Sequence, residues 1–204
     1  MSEIINIVLK NSGLIGILLL FLWILSVGVI IERSFYWLFL WKRKNPGHVI
    51  KISDCIKSGN LKEAYQFAHK SKDIVVRVLG HFLPDIPDEK EINTVAAIAV
   101  DKEFGQSHSY LRILNACAVI APSLGLLGTI TGLIKAFGTM SKTADMSYIA
   151  GGISEAMATT FLGLVVAIAN ITAAHIFGGM ADTTLSRIES GIKQFRLASL
   201  KRRA

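Results

Sequence analysis

The sequence predicts an all-α integral membrane protein with three transmembrane helices, the second and third long and extending into the cytoplasm, and a small helical cytoplasmic domain. Three observations predict it. Half of the chain is hydrophobic (51%) and only 18% charged, with a mean hydropathy of +0.48 over 204 residues, which is membrane-protein composition with a modest soluble part. Three uncharged stretches are each long enough to cross a bilayer, because ~20 apolar residues cover a ~30 Å hydrocarbon core. The basic residues sit almost entirely on one side of those stretches.

The first stretch, GLIGILLLFLWILSVGVII at residues 13–31, follows a short N-terminus (1–12). A signal peptide carries its basic cluster before a shorter apolar core, whereas here Lys42-Arg43-Lys44 follow the span, which predicts a retained anchor. Phe35, Tyr36, Trp37, Phe39 and Trp41 read as an interfacial aromatic belt that completes a first segment over 13–41. Positive charge after the span places the N-terminus in the periplasm and the next segment in the cytoplasm. Arg33, the twelve basic residues from Lys42 to Arg112 and the six from Arg187 to Arg203 fall on the cytoplasmic side; only Lys10, Lys135 and Lys142 fall opposite. Nineteen against three fits an odd number of spans with the C-terminus inside.

Residues 42–88 form the expected cytoplasmic helical domain. Turn signals at NPG (45–47), SGN (58–60) and PDIPD (84–88) separate three stretches with helical spacing, HVIKISDCIKS, LKEAYQFAHKS and DIVVRVLGHFL. Neither a Gly-rich phosphate loop, an HExxH pair nor a nucleophile elbow occurs, and His48, His69 and His81 lack metal-ligand spacing, so they read as surface or packing residues. Cys55 and Cys117 lie far apart, which excludes CxxC chemistry and predicts two packed thiols. The net charge of +7 follows membrane topology and not a basic stripe with interleaved aromatics, so a nucleic-acid partner is not expected.

Near Asp88 a helix is expected to start and run through residues 89–138, carrying the second span, ILNACAVIAPSLGLLGTITGLI between Arg112 and Lys135. A periplasmic turn at 139–147 leads to the third span and a cytoplasmic amphipathic tail (148–204), with AMATTFLGLVVAIANITAAHIFGGMA between Glu155 and Asp182. In the tail Leu185, Ile188, Ile192, Phe195 and Leu200 recur at helical spacing between basic residues, as in a packing helix with a solvated face. Ala121, Gly125, Gly128, Thr129 and Gly132 recur three and four residues apart, a close-contact face expected to pack against neighbouring helices.

Two kinds of residue in these spans carry potential chemistry. A membrane threonine can satisfy itself on the carbonyl one turn back, or it can line a polar path. Counting inward from Gly138 and Ser147, Thr129, Glu155 and Thr160 lie about 14, 12 and 20 Å deep at ~1.5 Å per residue, which sets Thr129 and Glu155 level and Thr160 about one and a half turns further in. Glu155 is the one carboxylate between Asp145 and Asp182. Burying it ionised costs at least ~2.5–3.5 kcal/mol unless it faces water, a partner or a proton. The plainer reading is a hydrated acid that ends the span.

The string APSLGLLGTITGLIKAF, followed by IAGGISEAMATTFLGLVVAIAN, resembles the signature of the MotA/TolQ/ExbB proton channel family. The three-span layout and the Gly59-Asn60-Leu61-x-Glu63-Ala64 segment are similar to its ExbB and TolQ members, over essentially the whole chain; motility stators of the MotA type have four spans and a larger cytoplasmic domain. The resemblance implies a ring-forming oligomer, a pentamer, around an ExbD- or TolR-like single-span partner with a membrane aspartate. It also implies proton conduction in the inner membrane, coupled through a TonB- or TolA-like protein to an outer-membrane process. Protons would be the transported ion, with no other cofactor. Thr129, Thr160 and Glu155 fall on the family's pore positions and Pro122 on its motif proline. Thr159 leaves the channel hydroxyl open to two assignments, and the five-residue offset from Glu155 favours Thr160.

Three other functions compete with this one. An intramembrane enzyme would need a Ser/His, Asp/Asp or HExxH pair across the spans, and a solitary solute transporter would need inverted repeats or broken helices; neither is visible. A non-conducting scaffold would leave Glu155 without a task. Whether the energised process is import, envelope maintenance or motility is not written in the chain.

Overall fold

In the computed structural model, residues 13–43, 46–84, 91–140 and 146–203 are described. They form six helices and no strand: α1 Gly13–Lys42, α2 Pro46–Lys57, α3 Leu61–Lys70, α4 Ile74–Gly80, α5 Ile92–Met140 and α6 Met146–Arg203. The expected N-terminal segment, the turn at 85–88, the cap at Asp88 and most of the outer turn lie outside the described residues. α5 reaches Met140 and α6 starts at Met146, so helix continues on both sides into the stretch expected as turn.

Helices α1, α5 and α6 are each long and apolar enough to span a membrane. With 49 and 58 residues, α5 and α6 extend about 74 and 87 Å at 1.5 Å per residue. Each is more than twice the ~30 Å hydrocarbon thickness, so both continue well outside it.

The chain divides into two compact units, one of residues up to Glu32 with Leu111–Ile176, the other Arg33–Tyr110 with Phe177–Ala204. In the first unit α5 and α6 form an antiparallel hairpin. As α5 is read toward its C-terminus, Ala121, Gly125, Gly128 and Gly132 meet Gly163, Thr160, Thr159 and Ala156 of α6 in reverse order. The spacing is set by absent side chains: a Cβ on Gly163 would lie 2.6 Å from the carbonyl oxygen of Ala121, and one on Gly125 would lie 3.1 Å from Cα of Thr160. In lipid no hydrophobic effect drives helices together, so this close backbone approach supplies the association energy. The small-residue face expected to pack against neighbouring helices meets the chain's own third span. α1 runs parallel to α6, with Leu19 buried against Leu162 and packed around by Ile15, Leu124 and Ala158. Outward-pointing positions are bulky and apolar, among them Phe21 and Ile24 on α1, Leu126 and Ile130 on α5, and Met157 and Ile168 on α6.

The second unit packs by burial of apolar side chains. α2 buries Ile52 and Ile56, and α3 buries Ala64 and Ala68, each pair one turn apart. Between them Gly59, at φ +80°, supplies the left-handed residue that ends α2. α4 buries five of its seven residues, Ile74, Val75, Val76, Val78 and Leu79. Phe82 then lies against Phe195 of α6 with ring centroids 5.1 Å apart. Asp73 caps α4 by accepting from the Val75 amide at 3.0 Å and faces Arg187 of α6 at 3.5 Å. Glu103 of α5 pairs with both Arg77 and His81.

The aromatic belt is split by this packing. Phe35, Phe39 and Trp41 are exposed, as a belt requires. Trp37 instead turns inward against Phe104, and Arg33 is buried with its guanidinium 3.4 Å from the Tyr110 ring centroid and 4.7 Å from that of Tyr36. A planar, weakly hydrated cation tolerates that position because ring faces are electron-rich.

Candidate functional site

Close contact between α5 and α6 brings two of the predicted hydroxyls together. Thr129 Oγ1 lies 3.2 Å from the Gly125 carbonyl on its own helix and 3.3 Å from the Ala156 carbonyl on α6. It also meets Thr160 Oγ1, which in turn donates to the Gly125 carbonyl at 3.0 Å. Each hydroxyl has a single proton, so the consistent pattern is Thr160 donating to Gly125 and Thr129 to a carbonyl or to Thr160. Thr160 is therefore not one and a half turns deeper than Thr129. The glycines let α6 slide against α5 until the two side chains touch, a stagger that counting from the turn does not fix.

Thr159 takes a different place. It is buried, donates to the Ala156 carbonyl at 2.7 Å, and fills the space beside Gly128, where a Cβ would come within 2.5 Å of its Oγ1. That is a packing role, and of the adjacent threonines it is Thr160 that reaches the α5 hydroxyl. Thr131, half-buried, bonds the carbonyls of Leu127 and Gly128. Pro122 lies within α5, where it withholds an amide from the carbonyl one turn earlier.

Glu155 is half-buried near the N-terminal end of α6, adjacent to Ala156, whose carbonyl lies within bonding reach of Thr129. It makes no ion pair or hydrogen bond among the described residues. Nor among them do three His, Cys, Asp or Glu side chains converge as metal ligands. At this point of the hairpin the groups brought together are hydroxyls and main-chain carbonyls, with one carboxylate next in sequence: groups that can pass or hold a proton.

Sequence reasoning overlooked three positions. Gly163 makes the closest backbone approach in the hairpin; the signal that could have found it is its spacing from Ala156, Thr160 and Ala167, small residues seven, three and four positions away. Ser26 and Asn170 form a buried hydrogen bond of 2.8 Å between α1 and α6; the visible signal was an amide side chain inside an apolar span.

The architecture defines a class: a three-span, multi-pass membrane protein built on a small-residue helix hairpin that holds a threonine pair. Residues 66–190 match the MotA/TolQ/ExbB proton channel family, more than half of the chain, and the chain belongs to that family as an ExbB-like member. It is 29% identical over 194 residues to the ExbB-like 3 biopolymer transport protein of Synechocystis sp., covering 91% of this chain and 90% of that protein. Against the biopolymer transport protein exbB1 of Vibrio cholerae it is 29% identical over 154 residues, 74% of this chain and 68% of the other. A shorter match, 33% over 94 residues, is to the Tol-Pal system protein TolQ of Haemophilus influenzae, covering 44% of this chain and 41% of that one.

Proposed function

We propose that this chain is the proton-conducting subunit of an inner-membrane energy-transducing complex, coupling the proton motive force to an outer-membrane process such as TonB-dependent import. Five copies form a ring around the span of an ExbD/TolR-like partner that carries a membrane aspartate, and a TonB- or TolA-like protein receives the work. The N-terminus is periplasmic, and the unit containing α2–α4 is cytoplasmic together with the C-terminus. The task is conduction and force transmission, not covalent catalysis, and the proton is the only species the site handles. Glu155, Thr129 and Thr160 line the path.

The observation that carries this reading is Glu155: the one carboxylate between Asp145 and Asp182, half-buried, without an internal partner among the described residues, and next in sequence to Ala156, whose carbonyl lies within reach of Thr129. A charge so placed is costly in lipid unless a lumen or a partner receives it. The extent of the likeness to ExbB-named proteins favours the import-type role. A TolQ-type role in envelope maintenance is the second reading, supported by the Haemophilus match. Conduction separates the proposal from a purely scaffolding ring.

The test is co-reconstitution with the single-span partner in proteoliposomes containing a pH-sensitive dye. Glu155→Gln, which keeps shape and removes charge and proton exchange, is expected to assemble in a pull-down yet lose proton flux. The Thr129→Val, Thr160→Val double variant is expected to behave likewise. Undiminished flux in Glu155→Gln with the complex intact would make the carboxylate a helix end at the interface; undiminished flux in the double variant would leave both threonines as local packing residues. Which protein copurifies, TonB-like or TolA-like, decides between the two roles.

A further inference from the structure

Two turns deeper than the apolar contact of Leu19 with Leu162, the seam between α1 and α6 changes character. Ser26 is 2% exposed and Asn170 0%. The Asn170 amide nitrogen commits both hydrogens, one to Ser26 Oγ and one to the Val166 carbonyl, each at 2.8 Å. Exchanging its oxygen and nitrogen would set two carbonyl oxygens against each other at Val166, so the amide has one orientation. Asn170 Oδ1 is then buried with no donor among the described residues.

Ser26 is left with the opposite need. As acceptor from Asn170 it keeps its own O–H proton. Other hydroxyls on these helices send theirs to the carbonyl one turn back, as Ser123, Thr131 and Thr184 do. No such bond forms at Ser26 among the described residues. One free donor and one free acceptor thus stand on adjacent, bonded side chains in a setting where lipid can satisfy neither. A molecule that accepts one hydrogen bond and donates another matches both, and water is the smallest that does.

We propose that Ser26 and Asn170 form a one-water site buried between the first and third spans, and that this site pins the register of the first span. The water accepts from Ser26 Oγ–H and donates to Asn170 Oδ1; its second hydrogen is available to a main-chain carbonyl, which can accept twice. Pinning follows from the parallel packing. From Leu19 to Ser26 is seven residues and from Leu162 to Asn170 eight, a near-heptad step along which an apolar seam alone would let one helix slip by a turn. Only one register satisfies the amide, the hydroxyl and the water together.

The experiment uses the full chain in lipid nanodiscs. X-ray radiolysis turns bound water into hydroxyl radicals that label adjacent side chains, read by mass spectrometry. Labelling is expected on the segments around Ser26 and around Val166 and Asn170 although these residues are buried, with slow exchange against heavy-oxygen water. Neither Leu19 nor Leu162 should be labelled. Asn170→Leu and Ser26→Ala, which remove the acceptor and the donor, are each expected to abolish that labelling. Absence of labelling at Ser26 and Asn170 in the unaltered protein would overturn the water site. For register, a Leu19→Cys, Leu162→Cys pair is expected to crosslink and a Leu19→Cys, Val166→Cys pair is not; adding Asn170→Leu should allow the second crosslink. A single register retained in Asn170→Leu would overturn the pinning.

Discussion

Gly163 is the residue on which the hairpin turns. Any side chain there meets the Ala121 carbonyl, since even a Cβ would lie 2.6 Å from its oxygen. Gly163→Leu is therefore expected to force the two helices apart at a cost of about 1–3 kcal/mol or more, the range for overpacking a filled interface. Thermal melting of the detergent-solubilised protein checks it, with Ile130→Ala on the exposed face of α5 as a control that should change little; equal melting of Gly163→Leu and the unaltered chain would refute the close approach. The α5 side of this contact was legible, because Gly125, Gly128 and Gly132 recur at helical spacing. Its partner was missed because the α6 face is written mostly in alanine and threonine, Ala156, Thr160 and Ala167 around Gly163, so the same spacing does not show as a row of glycines. The meeting of Thr129 with Thr160 was illegible for a related reason: a shift of one residue between paired helices moves a side chain ~1.5 Å along the axis and swings it ~100° around it, and only the packed glycines fix that shift.

Among the elements, α4 shows how seven residues can organise a unit. Its apolar run was readable as a helix from spacing alone. What could not be read were its polar ties, Asp73 to Arg187 and Arg77 with His81 to Glu103, because charge pairs between distant segments depend on packing that no local pattern encodes. The same limit split the aromatic belt: Trp37 and Phe39 are two residues apart, and which of them faces inward depends on what α5 presents. Asp73 has a double task, capping α4 and facing Arg187. Asp73→Ala is expected to remove both and cost ~1–2 kcal/mol, chiefly the cap, whereas Asp73→Asn keeps the cap and should lose less. In a chain of this size each kcal/mol lowers the melting temperature by about 2–4 °C, so calorimetry of the two variants separates the tasks. Equal losses would show that the ion pair, and not the cap, dominates.

At the scale of the whole molecule, charge along the chain carries the orientation. With nineteen of 22 basic residues on one side of the spans, the segment holding α2–α4 is expected in the cytoplasm and the α5–α6 connection in the periplasm. In a background of Cys55→Ser and Cys117→Ala, a Met146→Cys variant should react with an impermeant maleimide in intact cells, whereas Ser58→Cys should react only after permeabilisation; the reverse pattern would invert the topology. Three helical spans were legible because length and hydropathy report directly on the bilayer. The division into two units was not, for α1, α5 and α6 each contribute to both without a break in helix.

That the first span is the most apolar of the three, while the other two are diluted by glycine, alanine and threonine, bears on how the chain enters the membrane as it is made. A Leu/Ile/Phe-rich segment partitions from the translocon into lipid unaided, but segments whose polar hydroxyls and bare backbone are hidden only against each other gain far less from lipid when alone. The second and third spans are accordingly expected to leave the translocon as a pair. Glycosylation mapping of nascent chains ended after Lys135 or after Asp182 reads this out: the second span should insert incompletely in the shorter chain and fully in the longer. Full insertion of the second span on its own would show that the hairpin is joined only after both helices are already in the bilayer.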